Sequence, residues 1–208
     1  MVQVARTIIF DLGKVIVDFD HMVFCRSASL HCDLNPDEIY GKIFLSGIEK
    51  GFDSGDLTPE AFFDAACSAL DLKIDIDLFS YLWSDIFTIT PDIESLINRL
   101  KQHSRLLCLS NTNPWHFTWC RQHFNVLEAF DAFILSYEQH CCKPDLNIYR
   151  IALEKADALP EMCLYIDDSA DNVAAARLLK MQGIVFSSVD ELEQTLLNNG
   201  FLHPHPSS

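Results

Sequence analysis

Residues 7–20 read TIIFDLGKVIVDFD. The apolar run Ile8, Ile9 and Phe10 stops abruptly on Asp11, and Gly13 follows two residues later. A short buried strand that delivers a carboxylate to its own C-terminal tip has this pattern, and open parallel sheets hold their ligands beyond those tips. An Asp that opens a turn next to a glycine has it too. On this stretch alone Asp11 is either a turn residue or a group for chemistry, and the rest of the chain decides between them.

Downstream, from Phe19 to Ile89, the pattern becomes helical. PDEIYGKIFLSGIEKG and TPEAFFDAACSALDL are amphipathic, and Asn35-Pro36 and Thr58-Pro59 are helix-start signals. Breaks at DSGDL and around residues 75–77 predict three or four helices with no strand among them. From Pro91 onward strands and helices alternate. RLLCLSNT, FDAFILS, MCLYIDD and GIVFSS read as strands; PDIESLINRLKQ, PWHFTWCRQHF, KPDLNIYRIALEKADAL, SADNVAAARLLKMQG and VDELEQTLLNNG read as helices. Repeated strand–helix units predict an α/β protein with a parallel sheet and helices on both faces. The helical stretch is then an insertion after the first strand, dividing the chain into a core of residues 1–18 and 90–208 and an inserted unit of residues 19–89.

The 208 residues are 49% hydrophobic, enough for one full core with an insert. Thirty acids against fifteen bases give a net charge of -15, which disfavours nucleic acid and anionic membrane surfaces as partners. No apolar run approaches the ~18 residues of a membrane span, and the N-terminus lacks a signal-peptide pattern, so the chain reads as a soluble cytoplasmic protein. Eight cysteines without a CxxC pair read as reduced thiols packed like small hydrophobes, with neither a disulfide framework nor a zinc site. The Pro- and Ser-rich tail HPHPSS reads as frayed.

With the strands parallel, their C-terminal residues meet along one edge: Asp11, then Ser110 and Asn111, then Asp167 and Asp168. Three carboxylates gathered there raise one another's pKa unless a cation offsets them. An oxygen-only set without His or Cys favours magnesium, which uses few protein carboxylates and a substrate phosphate. Lys143, beside a predicted helix start at Pro144, adds a positive charge, and with a divalent ion it would balance the three carboxylates so that an arriving phosphate meets a near-neutral pocket. The bland role for the Asp167-Asp168 pair is to cap the next helix.

FDLGKV, LLCLSNT, CCKPD and YIDDSADN, in that order and separation, resemble the four motifs of the haloacid dehalogenase superfamily, in the subfamily I branch with a helical C1 cap inserted after the first strand. The first motif looks most like that of the sugar-phosphate phosphatases reading DLGxV. The resemblance implies a Rossmann-like three-layer α/β/α core with a helical cap, and a magnesium-dependent phosphatase of a small phosphomonoester, such as a sugar phosphate. It implies Asp11 as the nucleophile that becomes an aspartyl-phosphate, Ser110 and Asn111 on the phosphoryl group, and Lys143 orienting Asp11 and contacting substrate. Asp11, the Gly13 carbonyl, Asp168 and Asp167 match the metal site, and Asn172 an outer position. A small-molecule substrate and a monomer or weak dimer are the expected partners.

At Gly13 the chain departs from the commonest family pattern, which has a second aspartate there as general acid and base. Such a group contributes about 100- to 10,000-fold. His21, His116 and a metal-associated water are the candidate substitutes, His116 being the better fit to an ordinary helix position. The missing aspartate also suits a 2-haloacid dehalogenase, whose halide leaves unprotonated, although adjacent carboxylates have little use at a metal-free halide site. A phosphomutase, which needs the absent group, fits less well, and a non-catalytic binding protein keeping the fold is a further alternative. The insert has 13 acids and 4 bases against 17 and 11 elsewhere. That balance favours a substrate with one phosphate and a hydroxylated remainder, although acids on outer helix faces would give the same count. Trp115 and Trp119 read as a packing stripe.

Overall fold

The computed structural model describes residues 6–202; the HPHPSS tail lies outside them. In chain order the elements are β1 Arg6–Phe10, β2 Val17–Phe19, α1 His21–Ala28, α2 Pro36–Ile43, α3 Ile48–Asp53, α4 Pro59–Leu70, α5 Ile76–Ser84 and β3 Phe87–Ile89. They continue with α6 Ile93–Lys101, β4 Ser104–Ser110, α7 Pro114–His123, β5 Ala132–Leu135, α8 Ser136–Gln139 and α9 Leu146–Ala156. The last four are β6 Cys163–Asp167, α10 Ala170–Leu178, β7 Gln182–Val185 and α11 Val189–Asn198. Five strands form one parallel sheet in the order β5-β4-β1-β6-β7, with β1 at the centre.

Period-two alternation along β1 sorts its side chains onto the two faces. Ile8 and Phe10 pack with Leu106, Cys108, Leu164 and Ile166 beneath α6 and α11. Ile9 points the other way and packs with Leu107, Leu109 and Tyr165 beneath α9 and α10. Both faces of β1 are therefore buried, which explains its unbroken apolar run. Asp11 is where that run ends, and its backbone N–H still donates to Ile166 O at 2.8 Å, so the carboxylate leaves from the last rung of the ladder.

The helical segment closes on a core of its own, made of Phe24, Ile39, Phe52, Phe62, Phe79 and Trp83 among others. Five helices form it rather than three or four. The additional break comes at Gly47, which at φ +91° precedes α3 and separates it from α2. Against the expectation of no strand among residues 19–89, β3 closes that stretch and pairs antiparallel with β2 at its start, Phe19 opposite Phe87; between the two strands there are only helices and turns. Trp115 packs edge-on against Phe52 and Phe62, as a packing residue. Helix α9 starts at Leu146 rather than Pro144, because the Asp145 side chain accepts from Asn147 N at 2.8 Å and caps the helix there. All eight cysteines are free.

Candidate active site

β1, β4 and β6 end side by side, and their ends, with the segment between α8 and α9 that follows β5, supply Asp11, Ser110, Asp167, Asp168 and Lys143. One oxygen each from Asp11, Asp167 and Asp168 lie within 4.8 Å of one another. Lys143 Nζ lies 2.7 Å from Asp11 Oδ1 and 2.8 Å from Asp167 Oδ2. The lysine, Asp11 and Asp167 are buried and Asp168 is exposed, so an ammonium joins two carboxylates inside while a third faces the solvent side.

Burial raises the Asp11 carboxyl to about 7; Lys143 pulls it down and Asp167 pushes it up. Burial alone would lower the Lys143 ammonium, but Asp11 and Asp167 outweigh it and raise the group. Burial also works against the Asp167 carboxylate, yet Lys143 and its hydrogen bonds hold it below the usual range. Asp168 is raised by burial and by Asp167. A cation that lowered Asp11 would make it a full carboxylate at neutral pH, as a nucleophile requires.

The two aspartates of the pair differ sharply. Asp167 Oδ1 accepts from Ser169 N at 2.8 Å and Asn172 Nδ2 at 3.0 Å, and Oδ2 accepts from Lys143, from Asn172 Nδ2 at 3.1 Å and from the Tyr165 hydroxyl. Four donor groups, making five contacts, occupy its lone pairs and leave little for a metal. Asp168 and Asp11 are the open carboxylates. Neither aspartate caps α10; Ser169 does, accepting from Asn172 N at 3.4 Å.

Asn111 has a role that its sequence neighbours do not announce. Its side-chain carbonyl accepts from Lys143 N at 2.7 Å and its amide donates to Lys143 O at 3.0 Å, so it grips the main chain on both sides of the lysine. Ser110 is buried at the strand end, with Oγ donating to Asn111 O at 3.3 Å.

His116 sits in a closed pocket: Nε2 faces Trp83 O at 3.0 Å and Nδ1 faces Asn113 Nδ2 at 3.0 Å. Only the Nε2–H tautomer satisfies both contacts, and burial drives its pKa down to about 3. His116 therefore holds the packing and has no nitrogen to spare. His21 begins α1 with its ring stacked on Phe44 at 4.2 Å and Nε2 3.4 Å from Glu49 Oε1.

Tyr165, Glu49 and the Asp53–Asn113 contact escape a reading of the sequence. Tyr165 was within reach, since residue i-2 on a strand shares a face with Asp167. Glu49 and Asp53 look like two of many solvated acids until the fold buries them.

A family model described as haloacid dehalogenase-like hydrolase matches residues 5–179, and the chain belongs to that family of hydrolases. It is similar to D-ribitol-5-phosphate phosphatase of Bacteroides thetaiotaomicron, 25% identical over 81% of this chain and 85% of the relative. It also resembles the phosphorylated carbohydrates phosphatase of Thermotoga maritima, 22% identical over 89% of this chain and 88% of the relative. Among solved structures, a haloacid dehalogenase family enzyme from Bacteroides thetaiotaomicron, in complex with magnesium and inorganic phosphate, superposes with a TM-score of 0.79. It is 24% identical, over 89% of this chain and 96% of that one, and shows the shared fold. Among the described residues no helix is long and apolar enough to cross a membrane.

Proposed function

We propose that this hydrolase is a magnesium-dependent phosphatase that cleaves a small phosphomonoester, a sugar or polyol phosphate, through an aspartyl-phosphate on Asp11. The observation that carries the reading is the Lys143 ammonium joined to Asp11 and Asp167 at 2.7 and 2.8 Å, with Asp168 open beside them. Two relatives with matching length act, by name, on ribitol phosphate and phosphorylated carbohydrates.

Three clustered carboxylates against one ammonium suit a hard divalent cation, which Asp11, Asp168 and the Gly13 carbonyl would hold. When bound, it neutralises charge on the phosphoryl oxygens. Asp167, committed to four donor groups, holds Lys143 in place rather than serving as a ligand. The Ser110 hydroxyl and the Lys143 ammonium take phosphoryl oxygens, and Asn111 fixes the height of Lys143. An Asp11 oxygen attacks phosphorus, the bond from phosphorus to the ester oxygen breaks, and the released alcohol takes up a proton. Water then attacks the phosphorus of the aspartyl-phosphate, gives up a proton, and releases phosphate with Asp11 restored.

In this reading residues 19–89 are a cap that closes over the edge and keeps other water out, and residues 1–18 and 90–208 are the catalytic core. Asp11→Asn in a panel of sugar and polyol monophosphates with magnesium tests it. Wild type releases phosphate, chelation abolishes the release, and the variant is inactive. Halide release from a 2-haloacid without metal overturns the reading in favour of a dehalogenase, and a folded wild type with neither activity favours a binding protein.

A further inference from the structure

Glu49 is a half-buried carboxylate with no ammonium or guanidinium paired to it among the described residues, and its position is fixed from two sides. On one side α3 is tied to the core through Asp53. Asn113 Nδ2 donates to Asp53 Oδ1 at 2.9 Å, and Ser136 Oγ donates to Asp53 O at 2.5 Å. Those are the loops that follow Ser110 and precede Lys143. Glu49 lies one turn back from Asp53 on the same helix face. On the other side its Oε1 meets His21 Nε2 at 3.4 Å. His21 stands 5.0 Å, ring to ring, from Phe19, and Phe19 lies against Gly13. These contacts link Glu49 to the turn that carries Gly13 on one side and to the segments flanking Ser110 and Lys143 on the other.

We propose that Glu49, oriented by His21, is the subsite that recognises hydroxyl groups on the part of the substrate that leaves. This deepens the phosphatase reading and rests on it. One oxygen of Glu49 is engaged by His21 and the other has no hydrogen-bond partner among the described residues. Burial, with Asp53 adding to it, raises the Glu49 carboxyl to about 8, so near neutrality the group both donates and accepts, as a row of hydroxyls demands. Lys50, the next residue, lines a separate cleft with Cys142 and Asp145.

The test compares a polyol monophosphate with an aryl phosphate that lacks hydroxyls, both with magnesium, in wild type, Glu49→Ala, Glu49→Gln and His21→Phe. In Glu49→Ala, kcat/KM for the polyol phosphate falls about tenfold more than for the aryl phosphate, chiefly through KM, the size of one lost hydrogen bond to substrate. Glu49→Gln recovers part of that selectivity and His21→Phe loses part of it. Aryl phosphate turnover reports that each variant is folded. Equal falls for both substrates, or unchanged selectivity, overturn the subsite and leave the phosphatase standing. A wild type that cleaves neither substrate overturns both.

Discussion

Phe19 stands where a side chain on residue 13 would begin: a Cβ on Gly13 would lie 2.8 Å from Phe19 Cε1. The ring is held there, because Lys14 Nζ sits 4.6 Å above it and donates to Phe19 O at 2.8 Å. The absence of an aspartate at residue 13 is therefore built into the packing and is not a lone substitution. Gly13→Asp alone overpacks the turn, costs about 1–3 kcal/mol and gives slower turnover. Gly13→Asp with Phe19→Ala recovers stability and turns over an alkyl phosphate about tenfold or more faster than wild type, as a positioned acid should. Thermal melts and kcat on the single and double variants check this.

Lys143→Met removes the only ammonium within pairing distance of Asp11 and Asp167 among the described residues. Breaking a buried pair leaves charge uncompensated and costs about 3 kcal/mol, near 10 °C in a protein of this size. Turnover falls by about a thousandfold, the loss expected when a preorganised cation on the phosphoryl group is gone. Melts in chelator and initial rates with magnesium separate the two effects. Tyr165→Phe removes one of four donor groups to Asp167 and costs about 1 kcal/mol with a smaller rate loss.

His116 gives a pH signature of stability. Its pKa is lowered from 6.5 to about 3 by burial, so the unfolded chain binds its proton first as pH falls. Stability from the neutral ring is full above pH 6.5 and is lost progressively toward pH 3. Glu49, raised to about 8, acts in the opposite sense between about 4.5 and 8, so the comparison must be with a variant. Between pH 7 and pH 5 wild type loses about 2 kcal/mol more than His116→Gln. Denaturant midpoints at the two pH values read it.

The sheet and the strand-end residues were legible because they follow from periodicity: an apolar run of fixed length ends on Asp11, Ser110 or Asp167 whatever surrounds it. Hydrogen-bond partners were not. Asn111 next to Ser110 reads as a second substrate contact, yet a loop conformation that no local pattern encodes turns its amide onto the Lys143 main chain. Asp168 reads as a metal ligand with Asp167 beside it; Asp167 closes the fully buried β6 and Asp168 lies one residue past its end, so one is buried and the other exposed. The insert hid most, since acids on an exposed helix face and acids such as Asp53, turned inward, have the same composition. Gly13 was visible as a departure, but the ring that fills its place lies six residues on, brought back by the turn that bridges Gly13 and Val17.

The most direct measurement is a rapid acid quench of wild type turning over a polyol monophosphate with magnesium, followed by mass spectrometry of the peptide that contains Asp11. A peptide heavier by one phosphoryl group, with the added mass on Asp11 and absent from Asp11→Asn, is the predicted result. Turnover without that adduct, or phosphate release that persists in Asp11→Asn, would contradict nucleophilic catalysis by this aspartate.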